Sequence, residues 1–296
     1  MQIISKSKVQ CIYRNRALLA ESPVWSENEE CLYWVDIEGR TFNRFDPNIS
    51  KNIAINTGIR VSALALRKTG GFIVATETGF QLYNSTKNSF TPIGDPENNK
   101  PNNRFNDGRC DRAGRFWAGT MVEKGNQTPD AGLYCIDGNL TYMKKHEEII
   151  LANGLAWSPD NQTLYLADTR HPVVWAFDFD IDSGDISNQR IFIEFGINDG
   201  VPDGATVDTD GCYWLAQPRS SQICRYTPEG RIDTIIELPV SKPTMCAFGG
   251  PSLNTLYITT NSLGFSKKEL ENQPLAGSLL GLEIKAQGLP EPKFIG

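Results

Sequence analysis

Apolar residues along this chain fall in short runs, broken every few positions by Gly, Asn, Asp or Pro. Runs of that length between polar turns predict β-strands. Only Ser266–Asn272 carries a fair helical pattern, and it is short. The strand pattern also repeats. A strand, a polar turn, an aromatic-rich strand and a further strand recur in the same order six times. The first unit runs Pro23–Trp25, Cys31–Asp36, Thr41–Asp46, and the second Ser62–Leu66, Phe72–Thr76, Phe80–Tyr83. The third is Gly108–Asp111, Arg115–Gly119, Gly132–Asp137, and the fourth Gly154–Trp157, Thr163–Asp168, Val174–Asp178. The fifth is Ala205–Asp208, Cys212–Ala216, Ile223–Tyr226, and the sixth Met245–Phe248, Thr255–Thr259, Ser278–Glu283. Marked at Tyr33, Phe72, Phe116, Leu164, Tyr213 and Leu256, the units recur every 39 to 49 residues. Four-stranded units at that period are propeller blades. The expectation is an all-β chain, one domain over residues 1–296, folded as a six-bladed β-propeller with a central metal-binding channel. Val9–Tyr13 is expected to close the last blade onto the first, leaving few open edges.

Composition narrows the functional classes. The chain has 296 residues with net charge −6 and no run of about 20 apolar residues. The acidic balance argues against a nucleic-acid partner, which needs clustered Lys and Arg. Lys144-Lys145-His146 is followed at once by Glu147-Glu148 and reads as a solvated face. The N-terminus lacks the apolar region of a secretory signal, and the seven Cys show neither CxxC nor zinc spacing. Buried reduced thiols and a cytoplasmic protein without membrane partners are therefore expected. Sequons such as Asn126-Gln127-Thr128 carry no weight in that setting.

The candidate chemistry lies at one repeated position. Glu21, Asn106, Asn153 and Asp203 precede the marks of units one, three, four and five by 12, 10, 11 and 10 residues. The first strand of a blade lines the central channel, so residues just ahead of it ring one mouth. Singly, Asp107-Gly108, Asn153-Gly154 and Asp203-Gly204 are ordinary turn dipeptides; Glu21 before Ser22-Pro23 is not. In register, two carboxylates and two amides make an all-oxygen set suited to one divalent cation: Ca²⁺, Mg²⁺ or Mn²⁺, with Zn²⁺ also compatible. Units two and six place uncharged Val61-Ser62 and Thr244-Met245 in that slot. Other chemistry is missing. There is no G-x-S-x-G elbow or phosphate loop. The two histidines, His146 and His171, are expected in loops, away from any triad. Metal-assisted hydrolysis is the simplest catalysis such a ring supports.

These residues also carry a resemblance. Glu21–Trp25, Asn103–Gly108, Ala113–Met121, Asn153–Ser158, Ile186–Arg190, Pro202–Gly204 and Ala247–Pro251 together resemble the gluconolactonase/regucalcin (senescence marker protein)/luciferin-regenerating family, in order along almost the whole chain. The resemblance implies a six-bladed propeller with one divalent metal and hydrolysis of sugar lactones to aldonic acids. It implies Glu21, Asn153 and Asp203 as metal ligands and Asp203 as general base. Asn106 would bind metal or substrate, and Arg104 would hold the sugar. The family's pair of acids after Gly-Thr-Met is here Glu123-Lys124, so Glu123 stands in for the second acid. Its Gly-Glu-Gly-Pro opening is Ala20-Glu21-Ser22-Pro23, which is expected to narrow the pocket slightly. The implied activity is hydrolysis of gluconolactone or a pentonolactone. A non-catalytic calcium-binding regulator would use the same ligands, as would promiscuous ester or organophosphate hydrolysis.

Overall fold

The computed structural model describes residues 1–125, 128–197 and 199–296, so Asn126 and Gln127 of the sequon lie outside the described residues. Among the described residues the strands form six sheets. The chain opens with β1 (Gln2–Ile4) and β2 (Gln10–Tyr13). Blade 1 then holds β3 (Ala20–Ser26), β4 (Cys31–Asp36), β5 (Thr41–Asp46) and β6 (Lys51–Asn56). Blade 2 holds β7 (Val61–Leu66), β8 (Phe72–Thr76), β9 (Gly79–Asn84) and β10 (Ser89–Gly94). Blade 3 holds β11 (Asn103–Cys110), β12 (Phe116–Val122), β13 (Ala131–Ile136) and β14 (Tyr142–Ile149). Blade 4 holds β15 (Ala152–Trp157), β16 (Thr163–Asp168), β17 (Val173–Asp180) and β18 (Asp185–Glu194). Blade 5 holds β19 (Ala205–Val207), β20 (Tyr213–Gln217), β21 (Gln222–Tyr226) and β22 (Ile232–Glu237). Blade 6 holds β23 (Pro243–Gly249), β24 (Thr255–Thr260) and, after the helix α1 (Lys267–Asn272), β25 (Leu279–Glu283). The inner strands β3, β7, β11, β15, β19 and β23 touch one another in a closed ring.

The ring closes twice. β2 pairs antiparallel with β25 and completes blade 6, as expected from Val9–Tyr13. In addition β1 pairs parallel with β22 as a fifth strand of blade 5. A three-residue strand gives no sequence signal, so this second clasp is visible only in the structure. The α-helix is capped by Ser266, whose hydroxyl and the Glu269 carboxylate form a capping box.

Local chemistry explains the repeat. In blade 3, Asp111 Oδ1 accepts the Arg115 N–H (3.0 Å) and its Oδ2 accepts Trp117 Nε1–H (2.8 Å). In blade 5, Asp208 accepts the Cys212 N–H (2.9 Å) and Trp214 Nε1–H (2.8 Å) in the same way. Each hairpin turns at a left-handed glycine, Gly114 (φ 86°) or Gly211 (φ 81°), a conformation that costs other residues energy. Thus Asp-x-x-Gly-x-aromatic-Trp encodes a turn and anchors its own tryptophan.

The core is distributed over the six seams between blades. Trp117, Trp157 and Phe179 fill the seam of blades 3 and 4. Tyr33, Phe42, Phe72 and Tyr83 fill that of blades 1 and 2, and Trp25, Trp34 and Tyr257 that of blades 6 and 1. The seam of blades 2 and 3 takes Phe80, Phe105, Phe116 and Phe294 from the C-terminus. That tail runs under the ends of the inner strands. Leu289–Pro292 and Arg109, Asp111 and Trp157 enclose a cavity of about 30 Å³, and Arg109 meets Glu291 at 3.2 Å.

Two local expectations are corrected. His146 lies in β14, half-buried against Trp175 and Phe177, rather than in a loop. Lys145 is not solvated: it pairs with Asp185 (2.9 Å) and stands over the Trp117 ring, its side chain 9% exposed. Lys144 and its neighbours Glu147 and Glu148 are exposed as expected. The cysteines are all free, and all but Cys11 are buried. Among the described residues no helix is long and apolar enough to cross a membrane.

Candidate functional site

The inner strands break their pairing register at equivalent places. The shift falls between Glu21 and Val24 in β3, Val61 and Ala63 in β7, and Phe105 and Gly108 in β11. It falls between Asn153 and Ala156 in β15 and between Pro243 and Met245 in β23. A β-bulge inserts a residue and re-aims side chains, so one irregularity, repeated in every blade but the fifth, turns a polar residue toward the same end of the axis. This corrects the sequence reading on one point. Glu21, Asn106 and Asn153 lie within their strands at bulges, not ahead of them; only Asp203 precedes its strand. Asp203 is held there by its N–H to Ala216 O (3.0 Å). The Gly after Asn153 is required: its φ is 63°, and a Cβ there would stand 2.4 Å from the Tyr213 hydroxyl. Ser22 occupies the matching position in blade 1 with φ 50°. Its hydroxyl accepts the Leu64 N–H of blade 2 (3.0 Å), so the side chain expected to narrow the pocket is spent on the blade seam.

Glu21 and Asp203 are brought together, with Asp107 as a third acid that sequence reasoning set aside as turn chemistry. Burial pushes Glu21 up to about 8, and the Asp107 charge adds to it. Burial raises Asp203 well above the ordinary carboxylate range, helped by the charges of Glu21 and Asp107. Asp107 is raised by burial, opposed by N–H donation from Leu155 and by Arg109. By surface area Glu21 and Asp203 are only half-buried, because they line the open axis. Arg104 favours the Glu21 charge weakly, but no basic side chain among the described residues pairs with either acid. The remaining slots carry no charge. Thr244 donates to Ala20 O (2.6 Å), and the Ser62 hydroxyl is buried without a partner among the described residues.

Beside the acids runs a chain of hydrogen bonds. Arg104, buried, donates through Nε to Glu123 (2.8 Å) and through Nη1 to Phe105 O (2.9 Å) and Asn106 Oδ1 (3.3 Å). Asn106 Nδ2 donates to Ala152 O and to Asn153 Oδ1, both at 3.0 Å. Asn153 Nδ2 donates to Thr169 Oγ1 (2.7 Å), which donates to Pro202 O (2.8 Å). The Glu123 carboxylate is occupied by two arginines. Arg60 donates to it at 2.5 and 3.2 Å while also holding Glu77 (2.8 Å) and Glu38 (3.2 Å). Burial works against a charge on Glu123, but Arg60 and then Arg104 outweigh it and hold the carboxyl at about 2. Lys124 is exposed. The six residues singled out from the sequence therefore meet at one mouth, joined by Asp107, Arg60 and Thr169. Those last two lie outside every quoted motif. Arg60 precedes β7 and reaches Glu123 of blade 3 across the ring, while Thr169 follows β16 beside Asn153 within blade 4.

The donor set can be tested against a cation. Among the described residues no three Asp, Glu, His or Cys side chains stand close enough to form a cage by themselves. Acids that raise one another's pKa with no cationic partner are nevertheless under strain that a bound cation relieves. Two such acids, an amide oxygen and water form a donor set of hard oxygens. The residues fit the group.

Comparison with known proteins places this arrangement. Residues 19–262 match the model of the SMP-30/gluconolactonase/LRE-like region. The chain is 35% identical to regucalcin of Danio rerio over 298 residues, 99% of this chain and 100% of that protein. It is 35% identical to 6-deoxy-6-sulfogluconolactonase of Pseudomonas putida over 289 residues, 97% of this chain and 99% of that one. Its fold matches a crystal structure described as a calcium-binding protein, regucalcin, from Agrobacterium tumefaciens strain C58. The TM-score is 0.94, 99% of each chain is covered, and identity is 24%. A six-bladed ring carrying Glu21 and Asn153 at bulges and Asp203 just ahead of its strand, matched over four-fifths of its length, belongs to the SMP-30/gluconolactonase/LRE-like family.

Proposed function

We propose that this protein is a metal-dependent lactonase that opens sugar lactones to aldonic acids. The observation that carries the reading is the pair Glu21 and Asp203, facing one another's charge with no basic partner among the described residues, beside an amide oxygen. Glu21, Asn153 and Asp203 would hold one divalent cation, and Asp107 would contribute charge from behind. Ca²⁺, Mg²⁺, Mn²⁺ and Zn²⁺ are all compatible with oxygen donors, Ca²⁺, Mg²⁺ and Mn²⁺ best. Once bound, the ion supplies polarisation of the lactone carbonyl and a lowered pKa for water.

The chain's own groups do the rest. Arg104 and Asn106 project beside the acids and bind the sugar's oxygens. Glu123 acts on Arg104, holding its Nε so that the guanidinium edge stays turned toward Asn106. Asp203 takes a proton from the attacking water. As the tetrahedral adduct collapses, the ring C–O bond breaks and the proton goes to the departing ring oxygen, giving the hydroxy acid. One water is consumed and no redox partner is needed. The relatives named lactonase at 35% full-length identity support this activity, and those named regucalcin are consistent with the same ligands serving ion binding.

The test is hydrolysis of an aldonolactone panel in a pH-stat by metal-stripped protein, with each cation restored in turn and Asp203→Asn as control. The proposal expects turnover only with a cation, reduced by about 10²–10⁴ in the control. Cation binding without turnover above the spontaneous rate on any lactone would leave the ion-binding reading instead.

A further inference from the structure

Thr169 sits between two groups that the site depends on. Its Oγ1 lies 2.7 Å from Asn153 Nδ2 and 2.8 Å from Pro202 O, next to Asp203. Its backbone is fixed as well. The Thr169 N–H donates to Leu151 O (3.0 Å), and the neighbouring Asp168 carboxylate accepts the N–H groups of Ile150, Leu151, Arg170 and His171.

The polarity of the hydrogen-bond chain is decided at its ends. An arginine can only donate and a backbone carbonyl can only accept. Arg104 Nη1 therefore requires an oxygen on Asn106, and Ala152 O requires the Asn106 Nδ2–H₂. At the far end, Pro202 O takes the single hydroxyl proton of Thr169, so Thr169 must accept from Asn153. Asn153 then turns Nδ2 toward Thr169 and Oδ1 toward Asn106. Shape alone does not distinguish an amide from its flipped form; its partners do. Flipping both amides would set Arg104 against an N–H₂, Asn106 Oδ1 against Ala152 O, and Thr169 Oγ1 against Pro202 O without a proton between them.

We propose that Thr169 is a positioning residue that locks the Asn153 amide with its oxygen, and not its N–H₂, facing the channel. That matters to a cation, which an amide oxygen attracts and an N–H₂ group repels. The consequence for cation binding rests on the metal reading above; the orientation itself does not.

Two measurements test it on the intact protein. In metal-free protein labelled with [¹⁵N]asparagine, the Asn153 side-chain N–H₂ resonance, assigned by its loss in Asn153→Asp, should exchange slowly with solvent. It should stay slow in Thr169→Ser and become fast in Thr169→Val. Calorimetric titration with Mn²⁺ should then show weakening by about 10- to 100-fold in Thr169→Val and less than about 3-fold in Thr169→Ser. Recovery in the serine variant separates a lost hydroxyl from a misfolded protein. An Asn153 amide equally protected in Thr169→Val overturns the proposal, as does unchanged Mn²⁺ affinity in that variant. A wild type that binds no Mn²⁺ but shows the expected amide exchange supports the orientation and defeats the metal reading alone.

Discussion

Replacing Glu21 by Gln should stabilise the metal-free protein and abolish its response to cations. Gln keeps the shape of Glu21 but removes a charge that the axis disfavours. The Glu21 carboxyl is raised from 4.5 to about 8 in the fold, chiefly by burial and then by Asp107. The folded state therefore holds a proton that the unfolded chain has released. Its contribution is fully present below pH 4.5 and is lost as pH rises through about 8. At about 1.4 kcal/mol per unit, that shift sets a ceiling near 4–5 kcal/mol at pH 8, which water in the open axis reduces to roughly 1–3. At pH 5 the same linkage leaves less than about 1 kcal/mol. With roughly 2–4 °C of Tm per kcal/mol at this size, Glu21→Gln should melt about 2–12 °C above wild type at pH 8 in chelator, and nearly level with it at pH 5. Adding Ca²⁺ or Mn²⁺ should raise the wild-type Tm, more at pH 8 than at pH 5 because the ligands must deprotonate. It should leave the variant unmoved. Scanning calorimetry at the two pH values, with and without cation, reads both effects. A variant less stable than wild type by the same amount at both pH values would refute the reasoning, because it would show Glu21 to be ordinary packing.

Two other changes probe the supports of the site. Arg60→Ala removes the partner shared by Glu38, Glu77 and Glu123. It should cost about 1–3 kcal/mol at pH 7 in urea unfolding. Because Glu123 is held at about 2, the loss should shrink as pH falls toward that value; a constant loss would mean that packing and not charge is responsible. Glu291→Ala leaves the Arg109 guanidinium buried at the other end of the axis with, among the described residues, only Ala205 O to accept from it. It should cost about 3–5 kcal/mol, read by the same unfolding assay, and a loss below about 1 kcal/mol would show that the tail does not hold the channel floor.

The propeller was legible because each blade states its own turn: Asp111…Gly114…Trp117 and Asp208…Gly211…Trp214 bond identically in blades 3 and 5. The outer strands were not placed, because β6 and β10 are polar and exposed, without the apolar run that marks an inner strand. Strand starts were misread where bulges intervene. A bulge resets the two-residue alternation, so Asn106 and Asp107 look like a turn while lying inside β11. The site was legible to the extent that it repeats: Glu21, Asn106, Asn153 and Asp203 share one slot. Arg60 reaches Glu123, 63 residues away in the next blade, and Thr169 bonds Asn153 within blade 4 and Pro202 33 residues on, contacts that no sequence motif signals. Glu123, expected to face the sugar, has its oxygens hydrogen-bonded to Arg60 and Arg104.

The account stands or falls on whether a cation sits between Glu21, Asn153 and Asp203. Anomalous diffraction from crystals soaked in Mn²⁺ locates that ion directly. The account predicts one strong peak on the axis, within bonding distance of both carboxylates and of Asn153 Oδ1, and absent from Glu21→Gln crystals. A manganese peak elsewhere, with that position empty at saturating Mn²⁺, would contradict it.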